Sequence, residues 1–276
     1  MEETTMRKII ILLTLLALLC GSSTVSFAQE GPIVIENVPN VVGLAVGILP
    51  DYVGSDDYTF GLAPFARFTL PNSERYFMLN VTELYFNMLN HPYFRFGPVL
   101  NYRFGRDDDV DDHYVKRMKE IDGTFEAGAF FGVDWKINND KRNRVVADVE
   151  LLFDIGNEYD GMNGTVSARY WHPLGRMFDG VIGVAFQFAD DEFVNKYFGV
   201  NSTDSALSGL PFYRGDGGVT NFRVVPGVVM HLSEQWHLAA GLRYQRITGD
   251  SEDSPVVSMR GDADQWVFGL GAAYSW

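Results

Sequence analysis

Apolar residues alternate with small or polar residues along most of this chain. The last run is unbroken: one face carries Trp266, Phe268, Leu270, Ala272, Tyr274 and Trp276, and the other carries Gln265, Val267, Gly269, Gly271, Ala273 and Ser275. Successive side chains of a β-strand point to opposite faces of the sheet. The pattern therefore predicts a long strand with one continuous apolar face.

The same alternation recurs in segments 42–49, 58–70, 94–104, 125–137, 145–155, 178–188, 221–232 and 236–245. Strands of soluble proteins usually run about five or six residues, and their buried faces rarely carry charge. Here charged residues fall on the face opposite the apolar one, namely Arg67, Arg95, Arg103, Arg223, Arg243, Glu126, Asp134, Asp148 and Glu150. Only a membrane barrel combines a lipid-facing apolar surface with a polar lumen. We therefore expect an all-β fold, a transmembrane antiparallel up-and-down β-barrel.

The connections between the predicted strands fall into two length classes. Short ones lie at residues 71–74, 90–92, 138–142, 175–177 and 233–235, and long polar ones at 50–57, 105–122, 190–218 and 249–262. Short periplasmic turns and longer extracellular loops are typical of outer-membrane barrels, which have an even number of strands. A direct count gives eleven. Dividing residues 75–89 near Thr82 and Glu83 makes about twelve, with ten to fourteen as the range.

The chain begins with the features of a cleaved signal peptide. Arg7 and Lys8 precede an apolar stretch at residues 9–19, and Ser26, Phe27 and Ala28 form a small-x-small cleavage site. Residues 1–28 are therefore predicted to be removed, which leaves a single barrel domain at 29–276. Cys20, the only cysteine, would be lost as well; Leu19 occupies the position where lipoprotein processing requires a small residue, which disfavours lipidation.

Composition narrows the range of partners. Cleavage would remove two basic and two acidic residues, from 22 and 36 in the whole chain to 20 and 34, so the net charge stays at −14. Nucleic acid is excluded as a partner, because its phosphates are bound through Lys and Arg. Beyond the signal peptide no apolar run reaches the length of a membrane helix. No residue pattern calls for a cofactor.

Several segments, taken in order, resemble the MipA/OmpV family (MltA-interacting protein) of outer-membrane proteins. They are PDYVGSDDY at 50–58, GP at 97–98 leading into YRFGRD at 102–107, EAGA at 126–129, YFGV at 197–200 with SGLP at 208–211, and DSPV at 253–256. The resemblance implies a cell outer membrane location and a barrel that in some members links a lytic transglycosylase to a peptidoglycan synthase. Other members resemble adhesins or antibiotic-responsive envelope proteins.

The acidic stretch after Arg106 is a candidate cation site. Ca²⁺ takes six to eight oxygen ligands, largely carboxylate and carbonyl, and the candidates are Asp107, Asp108, Asp109, Asp111 and Asp112. The stretch lacks the glycine and glutamate spacing of an EF-hand, so a solvated extracellular loop is the favoured interpretation. A cation shared with lipopolysaccharide phosphates is an intermediate possibility.

Catalysis is disfavoured. No Gly-x-Ser-x-Gly elbow is present, and His113 beside Asp109 and Asp111 lacks a third positioned group. His231 and His237 should face each other across one hairpin, where structural roles are commoner. Gly269 and Gly271 lie within a strand and not at the start of a helix, so they do not form a dinucleotide loop. We therefore expect a protein that is not an enzyme.

The lumen charges leave two function classes open. Opposite charges can close the lumen as an ion-paired plug or line a narrow channel for small solutes, and we favour either of these over an open pore. The first alternative suits a non-enzymatic scaffold or binding protein for murein synthesis, acting through periplasmic turns such as residues 138–142. The second suits a channel, and a surface adhesin is a further alternative.

The closing strand ends in an every-second-residue stripe of apolar side chains, Phe268, Leu270, Tyr274 and Trp276. This stripe resembles the C-terminal signal that the barrel-assembly machinery reads. The expected partners are thus this machinery, outer-membrane lipid and lipopolysaccharide, together with the transglycosylase and synthase that the family resemblance implies.

Overall fold

The computed structural model describes residues 40–276, which form one closed β-barrel. Its twelve strands are β1 Asn40–Pro50, β2 Tyr58–Thr69, β3 Tyr76–Asn80, β4 Glu83–Asn87, β5 Phe94–Arg103, β6 Thr124–Lys136, β7 Arg144–Asp154, β8 Met162–Pro173, β9 Phe178–Ala189, β10 Gly218–His231, β11 Trp236–Ile247 and β12 Asp264–Ser275. The predicted all-β barrel and the count of twelve are confirmed. The predicted signal peptide at 1–28 lies outside the described residues.

Each strand pairs antiparallel with its neighbours along the chain, and β1 closes the sheet against β12. The closing register runs from Val41 opposite Ser275 to Ile48 opposite Phe268. The Trp276 N–H continues it by donating to the Asn40 carbonyl oxygen at 3.2 Å. Closure gives the first and last strands the same ladder of hydrogen bonds as the others, which a sheet in lipid requires.

The division of residues 75–89 falls where the sequence predicted. β3 and β4 form a hairpin whose turn is Val81 and Thr82, with Val81 at a φ of 57°. The hairpin is short, so β2 pairs with β3 only from Phe65 to Thr69. Residues 58–64 of β2, toward the extracellular end, pair with β1 alone. The barrel wall is therefore lowest between β2 and β5.

The outward face is the apolar one. On β12, Phe268, Leu270 and Trp276 are 53%, 64% and 53% exposed. Aromatic side chains cluster at both ends of the strands: Trp276 packs near Phe68 at 5.8 Å at the periplasmic end, and Tyr244 packs against Trp266 at 4.8 Å at the other end. Two aromatic girdles around an apolar band are typical of a membrane barrel. Among residues 40–276 no helix has the length and apolarity that a membrane span requires.

The long loops fold over the extracellular end as a cap. The cap contains a 3₁₀ turn at Val115–Arg117 and four short helices, α1 Asp191–Tyr197, α2 Ser202–Ser208, α3 Asp250–Asp253 and α4 Pro255–Ser258. α1 begins where the Asp190 carboxylate accepts the Phe193 N–H, and α2 begins where Asn201 accepts the Thr203 and Asp204 N–H groups. These side chains satisfy amide groups that the first turn of a helix leaves without a partner.

The cap has an apolar core of its own, in two clusters. The first contains Tyr52, Val110, Val115, Met118, Val200, Leu210 and Val256, and the second contains Tyr159, Ala189, Phe193, Val194, Phe198, Ile247 and Val257. Close backbone contact joins the loops: a side chain at Gly261 would place its Cβ 1.7 Å from the Gly54 carbonyl oxygen. Gly54 itself has a φ of 103°, which favours glycine. The long loops are therefore a packed layer.

Deleting Trp276 should reduce assembly, because it removes the terminal member of the outward stripe and the last hydrogen bond of the closing register. The measurement is the fraction of chain in outer-membrane extracts that migrates as a folded, heat-modifiable band. Trp236→Ala is the matched control, because Trp236 is 52% exposed on the neighbouring strand but is not terminal. Equal folded fractions for the deletion and the unmodified chain would contradict the predicted signal.

Candidate functional site

The lumen is packed with side chains in its periplasmic half. Val41, Trp171, Val181, Val229 and Ala273 form one buried cluster, with Phe65 and Ala239 packed against it. These inward residues come from seven strands. Val41 and Val229 are 0% exposed and Trp171 is 1% exposed, whereas the walls of a water-filled channel would be exposed at this level. We call this cluster the lumen seal. A second cluster of Val99, Phe130 and Leu152 packs with Tyr85 on the opposite wall.

Nearer the extracellular end, Glu126 is the centre of a polar network. Its carboxylate is 0% exposed and pairs with the Arg103 guanidinium at 2.7 Å. The Asn101 and Asn163 amides donate to it at 2.6 and 2.9 Å, and the Tyr159 hydroxyl donates at 2.5 Å. A buried carboxylate is tolerated when it is both paired and hydrogen-bonded. This network ties β5, β6 and β8 to the loop that follows β7.

Two other predicted lumen acids, Asp148 and Asp134, also lie beside basic groups. Asp148 is shared between Arg95 at 2.8 Å and Arg169 at 2.7 Å, which bridges β5, β7 and β8. Asp134 pairs with Arg144 at 3.0 Å. The pairs lie side by side along the wall, so opposite charges on neighbouring strands neutralise one another.

The remaining predicted lumen residues have several environments. The Arg67 guanidinium lies over the Tyr76 ring, 4.1 Å from its centroid. Glu150 lies against the Tyr85 hydroxyl. Arg223 donates to the Thr165 hydroxyl at 3.4 Å. Both Arg223 and Arg243 are 3% exposed, so these two cations are buried near the extracellular end.

Sequence reasoning missed Arg144, Arg169 and the lumen seal. Arg144 lies an even number of residues from Asp148 on β7, so both side chains face the lumen. The predicted strand began one residue too late to include Arg144. Arg169 lies on β8, which the alternation did not single out. Trp171 breaks the expectation of a uniformly polar lumen, because alternation identifies the inward face but not which inward side chains meet across the barrel.

The acidic stretch is part of the cap and does not form a cation cage. Asp112 is 7% exposed; its carboxylate binds Arg260 at 2.5 Å and accepts the Tyr114 and Val115 N–H groups. Burial alone would raise the pKa of Asp112, but these hydrogen bonds outweigh it and hold the pKa below its usual range. The expectation of a solvated loop is therefore wrong for this residue.

The other four candidates lie elsewhere along the same loop. The Asp107 carboxylate accepts the Asp109 N–H at 3.0 Å, and the Asp111 N–H donates to Asp51 at 3.1 Å. Within residues 40–276 no three His, Cys, Asp or Glu side chains are grouped so that they could hold a metal ion. The candidates Asp107, Asp108, Asp109, Asp111 and Asp112 therefore do not converge on one point.

The three histidines considered as catalytic candidates, His113, His231 and His237, lie at two separate places. His113 contacts the Arg117 guanidinium in the cap. His231 and His237 meet at the periplasmic end, with 2.8 Å between their Nδ1 atoms. His231 Nε2 lies 2.9 Å from Asp179, and His237 Nε2 lies 2.9 Å from the Ser275 hydroxyl. The chain of contacts runs beneath the lumen seal from β9 to β12.

The periplasmic turn at residues 138–142 is anchored at one end and free at its tip. Arg142 donates to Asp179 at 3.1 Å, to Asp140 at 2.9 Å and to the Gly175 carbonyl oxygen at 3.0 Å. The hydrogen bonds from Arg142 lower the pKa of Asp140. Asn138, Asn139 and Lys141 are exposed. The turn is a fixed platform for three polar side chains.

Most segments that carry the family resemblance meet in the cap or directly below it. Tyr52 from 50–58, Val200 from 197–200, Leu210 from 208–211 and Val256 from 253–256 share the first cap cluster. Glu126, from the segment at 126–129, lies in the polar network just below. Segments far apart in sequence therefore build one region.

Trp171→Ala should lower the free energy of unfolding by about 3–5 kcal/mol, because it removes a buried ring and leaves a cavity in the lumen seal. The measurement is denaturant unfolding of the refolded barrel, followed by tryptophan fluorescence of the other indoles. Trp171→Phe keeps an aromatic ring and should cost less. If both variants unfold like the unmodified protein, the lumen seal does not stabilise the barrel.

The structure is similar to that of NanC porin, with 9% identity, 85% of this chain and 100% of that chain covered and a TM-score of 0.49. It is also similar to the COG4313 outer membrane channel from Pseudomonas putida F1, with 10% identity, coverages of 86% and 95% and a TM-score of 0.47. No curated protein sequence matches the chain. The model of the family described as MltA-interacting protein MipA matches residues 42–276, so this outer-membrane β-barrel belongs to the MipA family.

Proposed function

We propose that this protein is a closed, non-enzymatic barrel that binds periplasmic cell-wall enzymes at the outer membrane. The observation that carries the proposal is the lumen seal, whose inward side chains at Val41, Trp171 and Val229 are almost fully buried. A barrel that encloses no continuous channel has its function on its ends. The extracellular end is covered by the cap, and the periplasmic end presents short anchored turns.

The periplasmic face has suitable chemistry for a protein partner. Arg142 holds the turn at 138–142 against the turn that contains Gly175. The tip side chains Asn138, Asn139 and Lys141 are exposed and add amide and ammonium donors to an otherwise acidic chain. A preorganised polar tip favours binding because little conformational entropy is lost. The family's description as MltA-interacting supports a lytic transglycosylase as one partner; a peptidoglycan synthase is the second.

A channel would require a different arrangement of the lumen. The charged residues of the lumen would have to line a continuous path, and the lumen seal would have to open. The short distances within the pairs Arg95–Asp148 and Arg144–Asp134 favour the plug, because paired charges leave few groups to guide a solute.

The refolded barrel in a planar lipid bilayer should produce no discrete conductance steps, because Trp171 and its neighbours close the lumen. Single-channel recording at moderate voltage is the measurement, and a characterised porin inserted under the same conditions is the positive control. Regular open-channel steps from the unmodified protein would contradict the closed-barrel proposal and support the channel.

Replacing the tip of the periplasmic turn should abolish partner capture. The variant carries Asn138→Ser, Asn139→Ser and Lys141→Ser, and it keeps the Asp140–Arg142 pair that anchors the turn. The measurement is capture of purified MltA by the detergent-solubilised barrel, with the unmodified chain as reference.

The matched control is Glu234→Ser with Gln235→Ser, two exposed residues of another periplasmic turn. Retained capture by the control and lost capture by the tip variant support the proposed surface. Equal capture by all three chains overturns the role of this turn. No capture by the unmodified chain overturns the binding of MltA.

A further inference from the structure

A row of neutral amide side chains crosses the lumen wall near the extracellular end, on four consecutive strands. Its members are Gln187 on β9, Asn221 on β10, Gln245 on β11 and Gln265 on β12, and all four are buried. Gln187 lies opposite Asn221 in the β9–β10 register, and Gln245 lies opposite Gln265 in the β11–β12 register. We call these four residues the amide row. The wall formed by β5 to β8 carries charged pairs instead, so the two walls differ in chemistry.

The amide row borders a cavity of about 80 Å³ between the lumen and the cap. Gln187, Asn221 and Gln245 line this cavity on the side of the barrel. On the side of the cap it is lined by Phe193, Tyr197 and Phe198, of and just after α1. The space is sufficient for roughly five to eight water molecules, or for one solute of the size of a sugar ring.

Two polar atoms at this cavity have no hydrogen-bond partner among the described residues. They are Asn221 Oδ1 and the Tyr197 hydroxyl. Asn221 is 3% exposed, and its amide nitrogen donates to Gln187 Oε1 at 2.8 Å, which orients both side chains. Buried polar atoms are normally satisfied by protein, water or ligand. A molecule bound in the cavity would supply the missing partners.

The cavity does not call for a charged ligand. Its lining includes four guanidinium groups, those of Arg103, Arg106, Arg223 and Arg243. Each has a partner within the protein: Arg103 pairs with Glu126 at 2.7 Å, and Arg106 donates to the Tyr197 carbonyl oxygen at 3.5 Å. The two atoms that lack partners are uncharged, and the amide row is uncharged as well. This chemistry favours a neutral ligand with hydroxyl groups, because amides and hydroxyls both donate and accept hydrogen bonds.

The cap side of the cavity is aromatic and held in place. The Phe193 and Tyr197 rings pack with their centroids 4.7 Å apart, and Phe193 also packs edge-on against Tyr159 at 5.3 Å. The flat face of an aromatic ring packs well against the C–H groups of a sugar ring. Binding sites for small molecules commonly combine such apolar walls with a few placed polar groups. Aromatic rings opposite a row of amides therefore fit a sugar better than a purely polar or purely apolar solute.

The cavity extends to the side of the barrel where the wall is lowest. Its lining includes Val53 in the loop after β1, Thr82 in the turn of the β3–β4 hairpin and Phe104 just after β5. Val53 is 41% exposed, so this part of the lining reaches the surface. The low wall between β2 and β5 is therefore the side from which a solute would reach the cavity.

We propose that this cavity binds one uncharged sugar ring, held by the amides of Gln187, Asn221 and Gln245 and by the Tyr197 hydroxyl, with a C–H face against the aromatic side of the cap. The same ring chemistry is offered by a free sugar and by the head group of a glycolipid, which would approach through the low wall. The site is independent of the proposed periplasmic role, because it lies at the opposite end of the barrel.

Saturation-transfer NMR of the refolded barrel tests the site, in a detergent whose head group carries no sugar. The free probes are D-glucose, D-galactose and N-acetyl-D-glucosamine, and octyl β-D-glucoside presents a sugar ring on an alkyl chain. Tetrahydropyran, which is a sugar ring without its hydroxyl groups, is the matched control. We expect saturable transfer to the ring protons of at least one sugar and much weaker transfer to tetrahydropyran.

The pattern of binding identifies the source of the ring. Binding of a free sugar supports a site for a soluble ligand, and binding of octyl β-D-glucoside alone supports a site for a glycolipid head group. No transfer to any of the sugars overturns the proposal, and water alone then fills the cavity. Equal transfer to tetrahydropyran also overturns it, because the amide row would then contribute nothing to recognition.

Gln245→Met tests whether the bound ring lies at the amide row. It removes the polar atoms of one lining amide at a similar side-chain length, so binding should weaken roughly threefold to tenfold, as for the loss of one neutral hydrogen bond. Gln235→Met is the matched control, because Gln235 is exposed in a periplasmic turn at the opposite end of the barrel. Unchanged affinity in Gln245→Met, or an equal loss in both variants, would overturn the site.

Tyr197→Phe keeps the test decisive if Gln245→Met does not give the folded, heat-modifiable band. It keeps the aromatic ring and removes only a hydroxyl that has no partner among the described residues, so the barrel should fold. Binding of the preferred sugar should again weaken roughly threefold to tenfold. The same affinity as in the unmodified chain would contradict the proposed contacts.

Discussion

Closure of the sheet between β1 and β12 is the constraint on which the rest of this structure depends. In a bilayer, each backbone N–H and C=O group must find its partner within the protein, and a sheet achieves this only when it has no free edge. The register from Val41–Ser275 to Ile48–Phe268 meets this requirement. Gly47 lies opposite Gly269, where a Cβ would come within 2.6 Å of the Phe268 carbonyl oxygen, so the small inward residues let the two strands lie close together.

Once the sheet is closed, the contents of the lumen decide what the barrel can do. Charged side chains that face inward lose contact with bulk water, which costs desolvation free energy. The structure compensates for this cost by pairing acids and bases on neighbouring strands, as Asp148 does with Arg95 and Arg169. Such pairs contribute modest net stability but strongly disfavour other registers, because a slipped strand would leave a buried charge without its partner. The apolar lumen seal adds a buried cluster in the periplasmic half of the lumen, which supports the proposed closed barrel.

The two ends of the barrel differ in construction. The periplasmic end has short turns fixed by Arg142 and by the contacts of His231 and His237. The extracellular end has a cap with its own apolar core, held from below by Arg103 and Arg106 against the rings of α1 and Tyr52. This arrangement places a packed cap at one end of the molecule and an exposed polar tip at the other.

The sequence by itself determined most of the strands, the lipid-facing side and an even count of about twelve, because a period of two is a local property and a one-residue slip would expose every charge to lipid. It did not single out β8. The division of residues 75–89 into β3 and β4 followed from the requirement that an outer-membrane barrel has an even number of strands. Only the tertiary structure decided that Trp171 meets Val41 and Phe65 in the lumen seal, that Asp112 pairs with Arg260, and that the long loops pack as a cap. Contacts across a lumen or between loops join residues distant in sequence, and no local pattern encodes which of them meet.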